Sequence, residues 1–473
     1  MTTESELEDR AGYRQRAAAL LRSAANDLKR DEAVAARDLG MAEADYHRQL
    51  AGEVDPDSAL LRRAAEIWPL NERDLLPLHD DVPLGLRIHR VQESLASARI
   101  LQRRGADYYS YRDTAMSRVS TFRPEHIRML RVVHDNDPHN PAVEWNDGHL
   151  LYQFTYFVGP VNYYYSWQGR SYCVPMSTGD SVWGVPFAPH SFTSRDASQD
   201  AYILALTYGG DLLGDSQREL AVLGPQLAGS LALPAGPSAA AEAATLRSLL
   251  RARLLSPAEA AALSNIDPSR FDQLCTGESE PSWDERDALA AALGISVRDL
   301  LPRRTAVTGG VSIQPGADVR RWLLPDPDAP AYRLGRLAGD PIHPDTSSFE
   351  ITVLSKDDPD PELLRSHQHS YLYLLDGEVR LRWSRDAERH EELLRPGDSA
   401  YALPGIGLSF ASTGDRPATV LLLRIGGAVT ADVRYALGGF ADRHLSRYLR
   451  EDQRWYRAEG RSAEEVEERG AQA

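Results

Sequence analysis

Residues 73–77, Arg-Asp-Leu-Leu-Pro, recur unchanged at 298–302, and Gly52-Glu53 recurs as Gly277-Glu278, both at an offset of 225. A duplication constrains the fold more than any local propensity, because whatever one copy builds the other must build too. A second set of markers, Gly179-Asp180-Ser181 with Phe192, returns as Gly397-Asp398-Ser399 with Phe410 at an offset of 218. The chain is therefore a tandem of two related halves.

Each half changes character along its length. Residues 1–78 carry apolar residues at helical spacing, at 17–21, 33–39 and 60–67, separated by turn residues such as those at 52–56. The same rhythm returns at 258–263 and 288–293. Between and after these stretches, short runs rich in Tyr, Val, Phe and Trp are broken by Gly and Pro, which is the spacing of an all-β sandwich or barrel. The expected architecture is a mixed α+β and all-β tandem. It has a helical domain over 1–78, a β-domain over 79–235, a second helical domain over 236–302, a second β-domain over 303–445, and a charged tail over 446–473.

Charge and cysteine content exclude several roles. Lys+Arg total 53 against 69 Asp+Glu, a formal charge of −16, and only two of the basic residues are lysines, Lys29 and Lys356. The helical domains resemble helix-turn-helix modules, yet residues 238–302 hold six Arg against ten acids, and residues 1–78 hold eleven basic against sixteen acidic. Without a basic stripe there is little to attract a phosphate backbone, so no nucleic-acid partner is expected. Two cysteines, Cys173 and Cys275, cannot build a disulfide framework or a Cys-rich zinc site. With no apolar leader and no membrane-length apolar stretch, a cytoplasmic protein is expected.

The residues that could carry chemistry are histidines in the first β-domain. Residues 149–159 are aromatic and β-branched and read as one strand, on which His149, Leu151 and Gln153 share a face. His190 follows the Gly179-Asp180 turn, between prolines that fix the backbone. Either imidazole alone is ordinarily a hydrogen-bonded, partly buried group; the set together, in β-segments of this order, points to a metal. The second half is an internal control. At the 218 offset His149 falls on His367, beside His369, but His190 falls on Leu408, which cannot ligate. The second β-domain is expected to be degenerate.

These motifs resemble a known family, the helix-turn-helix/cupin non-haem iron oxygenases that act on phosphonates. The family includes hydroxypropylphosphonate epoxidases, hydroxyethylphosphonate dioxygenases and methylphosphonate synthases, the last two being tandem like this chain. The resemblance rests on Arg103, Tyr108, Tyr109 and Tyr111, on Asn146 and His149 with Gln153, and on the run from Thr178-Gly179 to Pro189-His190-Ser191-Phe192-Thr193, all in family order and spacing. It implies cupin barrels, a mononuclear Fe(II) cofactor, and His149, Gln153 and His190 as metal ligands. Arg103, Tyr109, Tyr111 and Asn146 would hold the phosphonate. Lys29 would reach an active site from the helical domain, with Lys29 and Tyr111 as catalytic groups, and this interleaving suggests a homo-oligomer, a dimer or tetramer. Where family members place a glutamate ligand, this chain has Gly184, six residues before His190, or Gln153, four after His149. The resemblance thus implies a two-histidine, one-glutamine set and the methylphosphonate-forming branch, in which 2-hydroxyethylphosphonate and O2 give methylphosphonate and bicarbonate or CO2. The rival branch gives hydroxymethylphosphonate and formate. A ligand-sensing transcription regulator is the alternative from another class.

Overall fold

A computed structural model of the chain describes residues 4–120, 122–234, 236, 238–301, 309–339, 346–385, 387–440, 442–449 and 460. Pro302 of the repeated pentapeptide and most of the expected charged tail lie outside these residues.

The duplication is visible in the backbone. The first helical unit runs through helices Glu4–Asp27, Glu32–Asp38, Glu43–Leu50 and Ser58–Ile67, and the second through Ala239–Ala252, Pro257–Ser264, Pro268–Thr276 and Trp283–Leu293. Left-handed residues punctuate both at equivalent points: Lys29 and Leu254 both have φ 55, Gly40 pairs with Asn265, and Gly52 with Gly277. Each unit closes on a small core, Leu39, Tyr46, Leu60 and Trp68 in the first and Leu250, Phe271, Leu274 and Leu293 in the second. An Asp N-cap starts one helix of the first unit at Asp57, and a Ser-Glu capping box starts one of the second at Ser282.

The β-regions form four antiparallel sheets. Strands of the first half are β1 (Leu86–His89), β2 (Arg99–Arg103), β3 (Ala106–Asp113), β4 (Arg123–Met129), β5 (Tyr152–Val158), β6 (Val161–Trp167), β7 (Arg170–Met176), β8 (Ser181–Gly184), β9 (His190–Ser194) and β10 (Tyr202–Tyr208). The second half supplies β11 (Val311–Gln314), β12 (Arg321–Asp326), β13 (Ala329–Arg336), β14 (Thr346–Val353), β15 (His369–Asp376), β16 (Val379–Arg385), β17 (Glu388–Leu394), β18 (Ser399–Ala402), β19 (Gly407–Ser412) and β20 (Ala418–Ile425). One seven-stranded sheet has the order β11-β8-β5-β10-β4-β3-β2 and goes with the three-stranded β7-β6-β9; the other is β1-β18-β15-β20-β14-β13-β12, with β17-β16-β19. Among the described residues no sheet closes on itself in this order; each half is an open seven-stranded sheet with a smaller companion. The halves exchange strands, β1 pairing with β18 of the second half and β11 with β8 of the first.

Both faces of the large sheets are apolar, and this joins the halves. Along β10, Ile203 and Ala205 face the interior of the first unit, while Leu204, Leu206 and Tyr208 join a shared core with Tyr371, Tyr373, Tyr401, Leu421 and Leu423 of the second half. Along β20, Val420 and Leu422 turn the other way, into the second unit. Strict alternation of strand side chains thus feeds two cores from one strand. Among the described residues no helix is long and apolar enough to cross a membrane.

Candidate metal centre

The two histidines of the first unit meet, but not on one strand. β5 begins at Tyr152, so His149 lies in the loop before it rather than on the predicted strand over 149–159. The reason is Gly148, with φ 75, where a Cβ would stand 2.6 Å from the carbonyl carbon of Phe187. Only glycine lets the two segments approach this closely, and the contact is sealed by the Phe187 amide donating to the His149 carbonyl at 2.8 Å. Phe187 itself is held at φ 61, an uncommon conformation for a bulky residue. The turned loop, not strand alternation, aims the His149 ring at Gln153.

His149 Nδ1 is bonded to the carbonyl of Leu151 at 2.9 Å, and His190 Nδ1 to that of Ala188 at 2.9 Å. A carbonyl can only accept, so each Nδ1 carries the proton and each Nε2 is left with its lone pair. The rings lie 5.2 Å apart between centroids, nearly perpendicular. Gln153 donates through Nε2 to Thr155 Oγ1 at 2.9 Å, which turns its Oε1 toward His149 Nε2 at 3.1 Å. With the ring neutral, Nε2 and Oε1 are two acceptors facing each other, an arrangement a shared cation suits. The donor set therefore fits a metal ion held by His149, Gln153 and His190, with backbone carbonyls orienting both imidazoles. Burial drives the pKa of His190 down to about 4, which keeps its Nε2 available near neutral pH. Among the described residues no group of three or more His, Cys, Asp and Glu could hold a metal. Gly184 lies directly across from Gln153 in the β5–β8 pairing and adds no carboxylate.

Of the proposed phosphonate residues, Asn146, Arg103, Tyr109 and Tyr111 lie in one neighbourhood with His190. Asn146 Oδ1 accepts from the His190 amide at 2.8 Å, and its Nδ2 reaches His190 Nε2 at 3.0 Å. The Arg103 guanidinium lies over the rings of Tyr108 and Tyr109, 5.0 and 5.1 Å from their centroids, and donates to the Glu144 carbonyl. Tyr111 is half-buried with its hydroxyl pKa pushed up to about 12, mainly by burial. Tyr109 is 2% exposed, and its hydroxyl accepts from the Phe192 amide at 2.9 Å, so that oxygen serves the backbone of β9. Lys29, in the helical unit, donates to the carbonyl of Asp27 at 2.6 Å.

Two groups were missed from sequence. Glu125 lies on β4 and pairs with Asp113, and its carboxyl pKa is raised, chiefly by burial, against the opposing pull of Arg99. Arg99 reaches it at 3.7 Å and stands 5.9 Å over the Tyr111 ring. Neither stands in a motif; for Glu125, a charged residue among the buried positions of β4 was the available signal.

Fold and site together point to a class, tandem α+β proteins in which two imidazoles and a neutral amide of the first half fit a metal ion. Comparison with known proteins narrows it. No family model matches the chain. The methylphosphonate synthase of Nitrosopumilus maritimus (strain SCM1) is 35% identical over 438 residues, 92% of this chain and 94% of its own. The structure of 2-hydroxyethylphosphonate dioxygenase (HEPD) from Streptomyces albus with 2-hydroxyethylphosphonate and Fe(II) bound superposes with a TM-score of 0.89 at 53% identity, covering 94% of this chain and 100% of that one. Native PhpD with cadmium atoms, 21% identical with a TM-score of 0.71 over 92% of this chain and 99% of its own, shares the fold. The chain belongs to the methylphosphonate synthase and HEPD family of phosphonate oxygenases. That membership leaves the regulator reading without support.

Proposed function

We propose that the enzyme uses Fe(II) and O2 to cleave the carbon–carbon bond of 2-hydroxyethylphosphonate oxidatively. The observation that carries this is the facing of His149 Nε2 and Gln153 Oε1 at 3.1 Å beside His190, in a chain 53% identical to an enzyme solved with that substrate and Fe(II). His149, Gln153 and His190 hold the metal, which when bound supplies the redox chemistry with O2. Two imidazoles and an amide add no negative charge, so a divalent cation there keeps its full attraction for a phosphonate dianion. Arg103 and Lys29 supply further positive charge, Asn146 and Tyr111 hydrogen bonds, and Tyr109 stands at the same wall. Each helical unit is read as a helix-turn-helix domain and each β-unit as a cupin, with the domain limits given above, in a cytoplasmic homo-oligomer that binds O2 and no nucleic acid.

Two products satisfy the same atom balance, since substrate plus O2 equals either methylphosphonate plus carbonic acid or hydroxymethylphosphonate plus formic acid. Methylphosphonate is the first reading, supported by the glutamine in the ligand set and by the synthase relative. The second, hydroxymethylphosphonate, is favoured by a specific observation, the 53% identity to HEPD against 35% to the synthase, and on identity alone it has the stronger support. Phosphorus NMR of the anaerobically iron-loaded enzyme, given 2-hydroxyethylphosphonate and O2, separates the outcomes. Methylphosphonate supports the first reading and hydroxymethylphosphonate the second. An unchanged substrate signal rejects both.

A further inference from the structure

The duplication offers a control for which parts of the first unit serve its chemistry. One hydrogen bond is common to both units: Tyr109 Oη accepts from the Phe192 amide at 2.9 Å, and Tyr332 Oη accepts from the Phe410 amide at 3.0 Å. Phe192 and Phe410 are the repeat markers offset by 218, and the second unit has Leu408 where the first has His190. A bond that persists where the ligand is gone belongs to the fold.

Among the described residues, a second set of bonds is found in the first unit alone. Tyr108, fully buried, accepts from the Glu144 amide at 2.9 Å and lies 3.0 Å from Ser191 Oγ. Ser191 Oγ donates to the Glu144 carbonyl at 2.7 Å, and Arg103 donates to the same carbonyl. Both backbone groups of Glu144 are thus fixed, one by Tyr108 and the other by Ser191 and Arg103. Glu144 stands two residues before Asn146, and Ser191 follows His190 directly. In the second unit the position of Tyr108 is Ala331, while Ser409 stands for Ser191. The serine is kept and its tyrosine partner is absent.

We infer that Tyr108 and Ser191 are positioning residues of the metal centre: they clamp the loop carrying Asn146 to the strand carrying His190, and through the Glu144 carbonyl they tie both to Arg103. This rests on the proposed metal site. Neither side chain touches metal or substrate; they set the separation of groups that do. Buried hydroxyls suit the task, because each leaves an unpaired polar group behind if the loop shifts.

Full-length variants Tyr108→Phe, Ser191→Ala, Tyr109→Phe and Tyr332→Phe test the division by anaerobic Co(II) titration followed by visible absorption, with thermal melting alongside. Tyr108→Phe and Ser191→Ala are expected to weaken Co(II) binding about tenfold, in the range for residues that orient metal ligands, and to raise KM for 2-hydroxyethylphosphonate. Tyr109→Phe and Tyr332→Phe are expected to lower the melting temperature by similar amounts, and Tyr332→Phe to keep wild-type Co(II) affinity. Wild-type Co(II) affinity and KM in both Tyr108→Phe and Ser191→Ala overturn the clamp, as does an equal loss of affinity in Tyr332→Phe. Absence of Co(II) binding by the wild-type protein overturns the site reading beneath it.

Discussion

The two β-units share a plan and differ in what occupies one end of it. In the first, positions 149, 153 and 190 are His, Gln and His, with His149 against Gln153 and its ring 5.2 Å from that of His190. In the second, the 218 offset gives His367 and Leu408, and Ser370, which lies across from Ala402 as Gln153 lies across from Gly184, takes the glutamine's place; Ser370 and Leu408 are 4% and 1% exposed. Leu408 packs with Val379, Leu381 and Phe410, and Tyr371, next to Ser370, with the shared core between the units. His369, beside His367, is bound through Nδ1 to Tyr401 Oη at 2.6 Å, and its Nε2 abuts Gly427. Where the first unit spends its interior on polar groups, the second spends it on packing. Yet the second unit still matters to the first: its strand β11 lies along β8, setting Val311 opposite Gly184.

This contrast can be broken deliberately. The largest effect is expected for His190→Ala, which removes a metal ligand present only in the first unit; turnover should fall by at least about 100-fold, measured as phosphonate product formed after iron loading. The converse change, Leu408→His, should not create a second site. It places a polar ring in a filled apolar core and should cost about 2–5 kcal/mol in urea unfolding, with no added equivalent of bound metal.

Buried histidines give the next effect. His126 and His369, outside the metal set, have pKa values lowered to about 4, chiefly by burial, against 6.5. The unfolded chain then binds more protons than the native one between those values. Stability is therefore complete above about pH 6.5 and falls as the pH drops toward 4. Chemical denaturation across that window should show the slope, and His369→Asn should reduce it by about one proton.

Gly184→Glu sharpens the comparison at smaller cost. Its φ is not in the left-handed region, and an added Cβ would meet its nearest atoms only at 4.0 Å. The fold should tolerate the change within about 1.5 kcal/mol, and the carboxylate beside Gln153 should tighten Co(II) binding, read by anaerobic titration. The smallest effect lies at the matched surface ion pairs Arg73–Asp215 and Arg298–Asp432, at 2.5 and 2.6 Å. Removing either arginine should change stability by less than about 1 kcal/mol.

Much of this was legible in sequence because a repeat carries its own alignment. The offset of 225 located the helical units, and the same offset relates Lys29 to Leu254 in the backbone. The offset of 218 set Leu408 against His190. What could not be read was anything made by approach across the chain. The placement of His149 depends on Gly148 meeting Phe187, a contact between segments 39 residues apart in sequence. The exchange of β1 and β11 between halves depends on which sheet edge each strand finds. Tyr109 and Tyr111 look alike in a strand of tyrosines, yet one hydroxyl is committed to the Phe192 amide. Glu125 and Arg99 became visible only when β2, β3 and β4 were paired.

The central claim is that the chemistry resides in the first unit alone, at His149, Gln153 and His190. Anaerobic Fe(II) titration of the full chain, with metal counted after removal of unbound iron, tests it most directly. One equivalent per chain in the wild type and none in His190→Ala is the predicted result. Two equivalents in the wild type, or one retained in His190→Ala, would contradict it.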